Sequence, residues 1–421
     1  MIFHKRDPIN DSIMYRIWYV KALFFIAFVC ITTNTFSGTY TNSSFAVVKD
    51  GVKDSSLDFN GTLQIAIERF TGVKIYGDSI LPVHPLKMYP DVIAGSKDTF
   101  SVFYMDTANN AVRKLDIRII GGTPTPATPE KVMDVSTINE CYLHADKGET
   151  GYLVSIVSKA PNNQLALRVG NGIRQMDCDT TISKTGWMFL SQCHMEKDTF
   201  LTVYSIDANS VKLMKLFSRG NSIEIIQVIT VSNDVAGSLK LLNCSVASDK
   251  NGGILVLWTR GVPVGDKTIY YRFYSRGFSV ISEGVLTDNF GDKRFYYYDD
   301  SPAAALDSLK FAVVHWNNSG IVMNILDMQG GSLSRETIPV VSSTDVKLAT
   351  ISTDTNGCII AYLRDTIESE PVAIEGVHYD LTNGVLINPS RYQLSNPGIL
   401  NLKDKDHIVV NSVINSARQS A

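Results

Sequence analysis

Ala247-Ser248-Asp249-Lys250-Asn251-Gly252-Gly253-Ile254-Leu255-Val256-Leu257-Trp258 is the stretch whose reading decides the fold. Asn-Gly ahead of an alternating apolar run is a strong hairpin signal, and a type I′ turn with positive φ at both central residues is the expected geometry. The arrangement returns at Asp58-Phe59-Asn60-Gly61, before Leu63 and Ile65, and at Asp354-Thr355-Asn356-Gly357, before Ile359 and Ala361. A shortened turn precedes Phe100-Ser101-Val102-Phe103-Tyr104 and Phe200-Leu201-Thr202-Val203-Tyr204. The Lys97-Asp98-Thr99 and Lys197-Asp198-Thr199 turns before them lie 100 residues apart, two periods of about 50.

Each period reads as an inner strand, an Asp-bearing turn, a strongly apolar second strand, and two further strands joined by a turn often holding Gly. In the clearest copy, Leu241 to Val246 leads through the Asp249 turn to Ile254–Trp258, then Thr268–Tyr274, Arg276-Gly277 and Phe278–Leu286. Four strands in roughly 50 residues are one propeller blade. The expected fold is an all-β propeller of about seven four-stranded blades, with eight blades or tandem β-sandwiches as the alternatives. Second-strand copies are read at Thr62–Ile67, Phe100–Tyr104, Tyr152–Ile156, Phe200–Tyr204, Ile254–Trp258, Phe311–Trp316, Cys358–Tyr362 and His407–Asn411. Seven blades follow if the tail from Gly398 is supplementary, eight if it builds a blade with the early strand Ser44–Lys49. Trp258, Trp316, Tyr104, Tyr204 and Tyr362 end their strands and are read as filling between blades. Gly121-Gly122-Thr123-Pro124-Thr125-Pro126-Ala127-Thr128-Pro129 reads as an extended loop that interrupts the strands.

These features resemble the blades of large secreted or cell-surface propeller repeat proteins, a likeness of architecture that spans most of residues 46–421. The resemblance implies a surface that binds partners. The Trp-Asp dipeptide of WD40 blades is absent, and the paired glycines 121–122, 252–253 and 330–331 are too irregular for kelch. Sialidases, which are propellers with Ser-x-Asp-x-Gly-x-x-Trp boxes, are approached by Ser56-Leu57-Asp58-Phe59-Asn60-Gly61 and Ser352-Thr353-Asp354-Thr355-Asn356-Gly357. In both, Gly comes one residue late and the Trp is missing.

The N-terminus carries Lys5, Arg6, Arg16 and Lys21, then the apolar run Ala22 to Ile31, then small polar residues. That order describes a secretory signal peptide over 1–37, leaving 38–421 as a single propeller domain. The run is about half the length of a spanning helix, so no stable membrane span is expected after its removal. A secreted, extracellular or cell-surface location follows. Charged residues are 19% of the chain and the net charge is -3, a balance that implies no nucleic-acid surface.

Of six cysteines, Cys30 falls in the signal. Cys141, Cys193 and Cys244 each precede an aspartate (Asp146, Asp198, Asp249) by five residues, so they share one inner-strand position and are read as buried thiols. A Cys178–Cys193 disulfide is the exception considered.

For chemistry, the densest local composition is Lys293-Arg294-Phe295-Tyr296-Tyr297-Tyr298-Asp299-Asp300. Arg294, Tyr296, Tyr297, Tyr298, Asp299 and Asp300 are candidate contacts to a sugar or peptide, since aromatic rings pack on sugar faces. No catalytic residue, metal ligand or cofactor is identified: the turn aspartates lack the spacing of a calcium loop, and no nucleophile elbow or phosphate loop occurs. Asn42, Asn60 and Asn317 are candidate glycosylation sites in a eukaryotic source, whereas the Asn243 sequon falls on an inner strand. The sequence thus points to a monomeric binding module for a glycan or extracellular protein. A sialidase-like hydrolase and a structural surface component are the alternatives.

Overall fold

The computed structural model describes the strands between Ser44 and Ile414 and the connecting residues 127–129, 148–151, 197–198, 249, 251–253, 275–279, 309 and 328–331. The segment 1–37, read as a signal, lies outside the described residues. Among the described residues no helix is long and apolar enough to cross a membrane.

The strands form seven antiparallel sheets. Blade 1 holds β1 (Ser44–Asp50), β2 (Gly61–Arg69) and β3 (Gly72–Val83); blade 2 runs from β4 (Asp91–Ala94) through β5 (Thr99–Asp106) to β6 (Ala111–Ile120). Both β7 (Thr123–Pro126) and β8 (Glu130–Asp134) pair with β6. Blade 3 comprises β9 (Cys141–Lys147), β10 (Tyr152–Ser158), β11 (Gln164–Val169) and β12 (Gly172–Asp177). Blade 4 comprises β13 (Phe189–Glu196), β14 (Thr199–Ser205), β15 (Ser210–Arg219) and β16 (Ser222–Asn233). Blade 5 is β17 (Lys240–Ser248), β18 (Ile254–Gly261), β19 (Lys267–Tyr274) and β20 (Val280–Phe290). Blade 6 is β21 (Ala303–Asp307), β22 (Lys310–Asn317), β23 (Gly320–Asp327) and β24 (Ser332–Pro339). Blade 7 is β25 (Val346–Thr353), β26 (Gly357–Arg364), β27 (Ala373–Thr382) and β28 (Val385–Gln393).

The last strand, β29 (Val409–Ile414), returns to blade 1 and pairs with β1, Ser44 opposite Ile414 and Lys49 opposite Val409. The innermost strands β4, β9, β13, β17, β21, β25 and β29 then neighbour one another in a closed ring. This is a propeller of seven blades, not a row of sandwiches. Closure corrects three sequence assignments. The tail is the inner strand of blade 1 and not a supplement, so His407–Asn411 is no second-strand copy, and Thr62–Ile67 lies on the third strand of its sheet. Joining the two ends of the chain in one sheet removes an open edge. The expected 121–129 loop is corrected as well: Thr123–Pro126 is a short outer strand, where a proline's missing N–H faces away from the ladder.

Apolar side chains on opposite faces of each blade build the core between neighbours. Leu201 and Val203 of blade 4 pack with Ile254, Val256 and Trp258 of blade 5, while Phe200 and Tyr204 pack back on Leu153 of blade 3. Leu255 and Leu257 meet Phe311 and Val313, and Ala312 and Val314 meet Cys358, Ile360 and Tyr362. Tyr204, Trp258 and Tyr362 thus fill equivalent spaces, as the sequence suggested. In blade 6 that place belongs to buried His315, one residue before Trp316.

The Asp249 hairpin differs from the expected type I′ turn. Gly252 N–H bonds to Asp249 C=O at 3.1 Å, Asp249 N–H bonds to Gly253 C=O at 3.0 Å, and among the described residues of the turn only Gly252 has positive φ (85°). The loop therefore has three residues and a left-handed fourth position. Its cause is Asp249, whose Oδ1 accepts the N–H of Asn251 and of Gly253 and holds the turn open by one residue. The same geometry recurs at Asp327 to Gly331, with Gly330 at φ 83°, and at Ser275 to Ser279, where Phe278 takes the left-handed position at φ 65°.

Candidate functional site

The sequence-derived cluster Arg294, Tyr296, Tyr297, Tyr298, Asp299 and Asp300 lies outside the described residues, as do Asn42 and Asn60. Asn317 ends β22 and faces Gly320 of β23 in the ladder. Asn243 is 9% exposed on β17, and its Oδ1 accepts the Cys244 N–H at 2.6 Å, so that sequon is inside the ring. Cys193 is a free thiol, against the Cys178–Cys193 disulfide considered from the sequence, whose Cys178 lies outside the described residues; Cys244 and Cys358 are buried. Burial pushes the Cys193 thiol well above its usual pKa, with the Asp146 carboxylate adding to the shift.

The aspartates do more than shape hairpins, since each reaches a neighbouring blade. Asp91 of blade 2 accepts the Ala145 N–H of blade 3 at 2.7 Å, and Asp146 of blade 3 accepts the His194 N–H of blade 4. Asp198 of blade 4 takes both the N–H and the hydroxyl of Thr150 in blade 3, at 2.9 and 2.8 Å. Asp249 of blade 5, 2% exposed, takes the Leu309 N–H of blade 6 at 2.9 Å with its second oxygen. At the blade 4–5 seam Ser191 plays the part, accepting the Val246 N–H at 3.3 Å. These residues staple inner strands and turns together. His144 and His194 sit beside Asp91 and Asp146, yet among the described residues no three metal-ligating side chains converge.

A different set of residues has the chemistry of a binding surface. In β19, Tyr270, Arg272 and Tyr274 alternate along the strand and so share the face turned to blade 4. Trp258 lies opposite Tyr270 in the ladder and the two rings stack, centroids 5.6 Å apart at 11°. Arg272 lies 5.8 Å from the Trp258 ring, donates to the Val231 carbonyl on β16 of blade 4, reaches the Tyr274 hydroxyl at 3.5 Å and pairs with Glu283 on β20. Val285 faces Tyr270, 48% exposed, and Glu283 is 55% exposed at its side chain. The result is a patch on the outer part of the seam between blades 4 and 5, with stacked aromatics of which Tyr270 is half-buried, an exposed apolar residue and an exposed carboxylate. Trp258 and the run Ile269-Tyr270-Tyr271-Arg272-Phe273 were visible in the sequence as blade pattern, but their meeting with Val231 and Glu283 was not.

The equivalent places of blades 6 and 7 lack this set, whereas the blade 2–3 seam has a lysine version of it, Lys114 lying 5.5 Å from the Tyr152 ring and pairing with Glu130 at 3.3 Å. Blade 6 has His315 against Asn324 at 3.3 Å; burial holds that imidazole down at about 4, with Arg335 adding to the effect, so it is neutral. Blade 7 has Tyr362 donating to Glu375 at 2.9 Å and Tyr379 donating to Glu336 of blade 6 at 3.2 Å. Arg272 is therefore peculiar to blade 5 among these three.

No protein-family model and no curated protein sequence matches the chain. Among solved structures it is similar to a putative 6-phosphogluconolactonase from Bacteroides uniformis, at 7% identity and TM-score 0.46 over 87% of this chain and 99% of the other. It is similar to the β-propeller domain of Vanderwaltozyma polyspora Nup133, at 13% identity and TM-score 0.42 over 78% and 96%. A third is the Aleuria aurantia lectin in complex with α-methyl-L-fucoside, at 10% identity and TM-score 0.39 over 73% and 99%. At these identities the chain is placed in no family, and its description rests on its own geometry: a seven-bladed propeller with an aromatic, arginine and carboxylate patch on the seam of blades 4 and 5.

Proposed function

We propose that the protein is a secreted or cell-surface propeller that binds a glycan on the patch between blades 4 and 5. The observation that carries this reading is the Tyr270 ring, backed by Trp258 and Arg272, beside the exposed Glu283 carboxylate. Sugars offer an apolar C–H face to an aromatic ring and hydroxyls to a carboxylate, so the pair recognises both sides of a pyranose. The same residues also brace the seam; rigid support is what a shallow site needs to bind without reorganising. Secretion is supported by the basic and apolar order of residues 1–37, with the mature chain beginning at Gly38.

The test is a glycan array and titration with the chain from Gly38, alongside Tyr270→Ala. Binding that falls at least about tenfold in the variant supports the assignment. Unchanged binding moves the glycan site elsewhere in the molecule. A second reading, a protein partner, is favoured by exposed Ile226, Val228, Ile281 and Leu333 on the outer strands of blades 4, 5 and 6. A blank array with the fold intact selects it.

A further inference from the structure

We propose that the patch between blades 4 and 5 selects neutral saccharides and rejects anionic ones, and that Glu283 sets this preference. The inference rests on the glycan reading above and adds the charge class of the ligand. An arginine beside aromatic rings invites the opposite expectation, a clamp for a sugar carboxylate or sulfate. The geometry withholds that clamp. Nη1 of Arg272 is committed to the Val231 carbonyl and faces the Tyr274 hydroxyl, Nη2 is held by Glu283, and Nε is buried without a hydrogen-bond partner, out of a ligand's reach. The parallel pair of donors needed for bidentate recognition of an anion is already spent within the protein.

What the patch leaves open is an acceptor. Glu283 uses Oε2 on Arg272 and presents the rest of a carboxylate whose side chain is 55% exposed. Beside it lie the Tyr270 ring and Val285, residues opposite each other in the ladder. An anion arriving here meets a carboxylate, not a guanidinium. A cation gains less than a lone carboxylate would give it, because Arg272, the more buried partner at 23% side-chain exposure, offsets part of the Glu283 charge from within the protein. The ligand that complements this surface is uncharged, with hydroxyls to donate and an apolar face to lay on Tyr270. It follows that Arg272 is a positioning residue: it holds Glu283 and the Trp258 ring in place without contacting the ligand.

The experiment compares neutral oligosaccharides with the same oligosaccharides capped by sialic acid or carrying sulfate, titrated against the chain from Gly38 and its Glu283→Gln and Tyr270→Ala variants. Melting curves establish that each variant is folded. The expected result is binding of a neutral glycan, weakened about tenfold or more by the acidic cap next to the bound residue, and weakened similarly in both variants. With Glu283→Gln, the penalty for the acidic cap should also shrink, a change that mere loosening of the seam does not produce. Tighter binding of the capped glycan, lost in Tyr270→Ala, overturns the charge preference and leaves the patch as the glycan site. Glycan binding indifferent to both variants, or no glycan binding at all, overturns the site and the preference together.

Discussion

Asp146 shows how one side chain couples the seam of blades 3 and 4 to pH. Its oxygens accept the N–H of Lys147 at 2.7 Å and that of His194, yet burial dominates and pushes its pKa up to about 6. The two backbone bonds and His194 oppose the shift, and Asp91 adds to it. A carboxyl with a raised native pKa binds its proton more tightly folded than unfolded, so its contribution to stability is present in acid and lost as pH rises through about 6. The shift of about two units corresponds to roughly 2–3 kcal/mol. Asparagine cannot serve both N–H groups and does not titrate. The stability advantage of the native protein over Asp146→Asn, measured by urea unfolding, should therefore shrink by roughly that amount between pH 4 and pH 7. A constant gap would show that Asp146 is not perturbed. Asp249 is the other decisive residue. Its buried carboxylate accepts three backbone N–H groups from two blades, one of them on Leu309, which is held at φ 73°. Asp249→Ala strands those donors and releases a strained turn, and a loss of about 3–5 kcal/mol is expected from denaturant unfolding.

At the scale of elements, turns were legible and outer strands were not. Asp249 through Gly253 announced a hairpin, but its exact type depended on a side chain bonding its own backbone, which spacing does not reveal. The inner and second strands carry unbroken apolar alternation because both of their faces are covered by neighbouring blades. Outer strands answer to one partner only, and their registers slip: Ile226, Ile281 and Leu333 are each the extra residue of a bulge at the same place in blades 4, 5 and 6. Such bulges twist an edge away from pairing with other chains. The patch was illegible for a related reason, since Val231, Arg272 and Glu283 meet through inter-blade packing that no local pattern records. What could have been read was the alternation of Tyr270, Arg272 and Tyr274, which puts all three on one face. Packing between elements also predicts a glycine effect. Gly330 has φ 83°, and a Cβ there would lie 2.9 Å from Tyr271 Cζ of the neighbouring blade. Gly330→Ala should cost about 2–4 kcal/mol, whereas Gly277→Ala, whose nearest neighbour is 4.0 Å away, should be close to neutral in the same melting assay.

For the whole molecule, the ring is closed by β29, whose inner position in blade 1 touches both blade 7 and blade 2. Deleting residues 409–421 uncovers the edge of β1 and opens the ring at one seam. The truncated chain should melt lower and with reduced cooperativity, and tend to associate through the open edge, as gel filtration would detect. A truncated chain that stays monomeric with unchanged melting would refute closure by β29. The staples from Asp91, Asp146, Ser191 and Asp249 tie the four seams from blade 2 to blade 6, and the blade 4–5 seam carries an arginine, aromatic and carboxylate set beyond its staple. The most direct test of that assignment is a crystal structure of the chain from Gly38 with the strongest neutral glycan from an array. A sugar ring lying on Tyr270 with a hydroxyl donating to Glu283 is the expected result. A sugar bound in the central funnel, or on residues 294–300 with the patch empty, would contradict it.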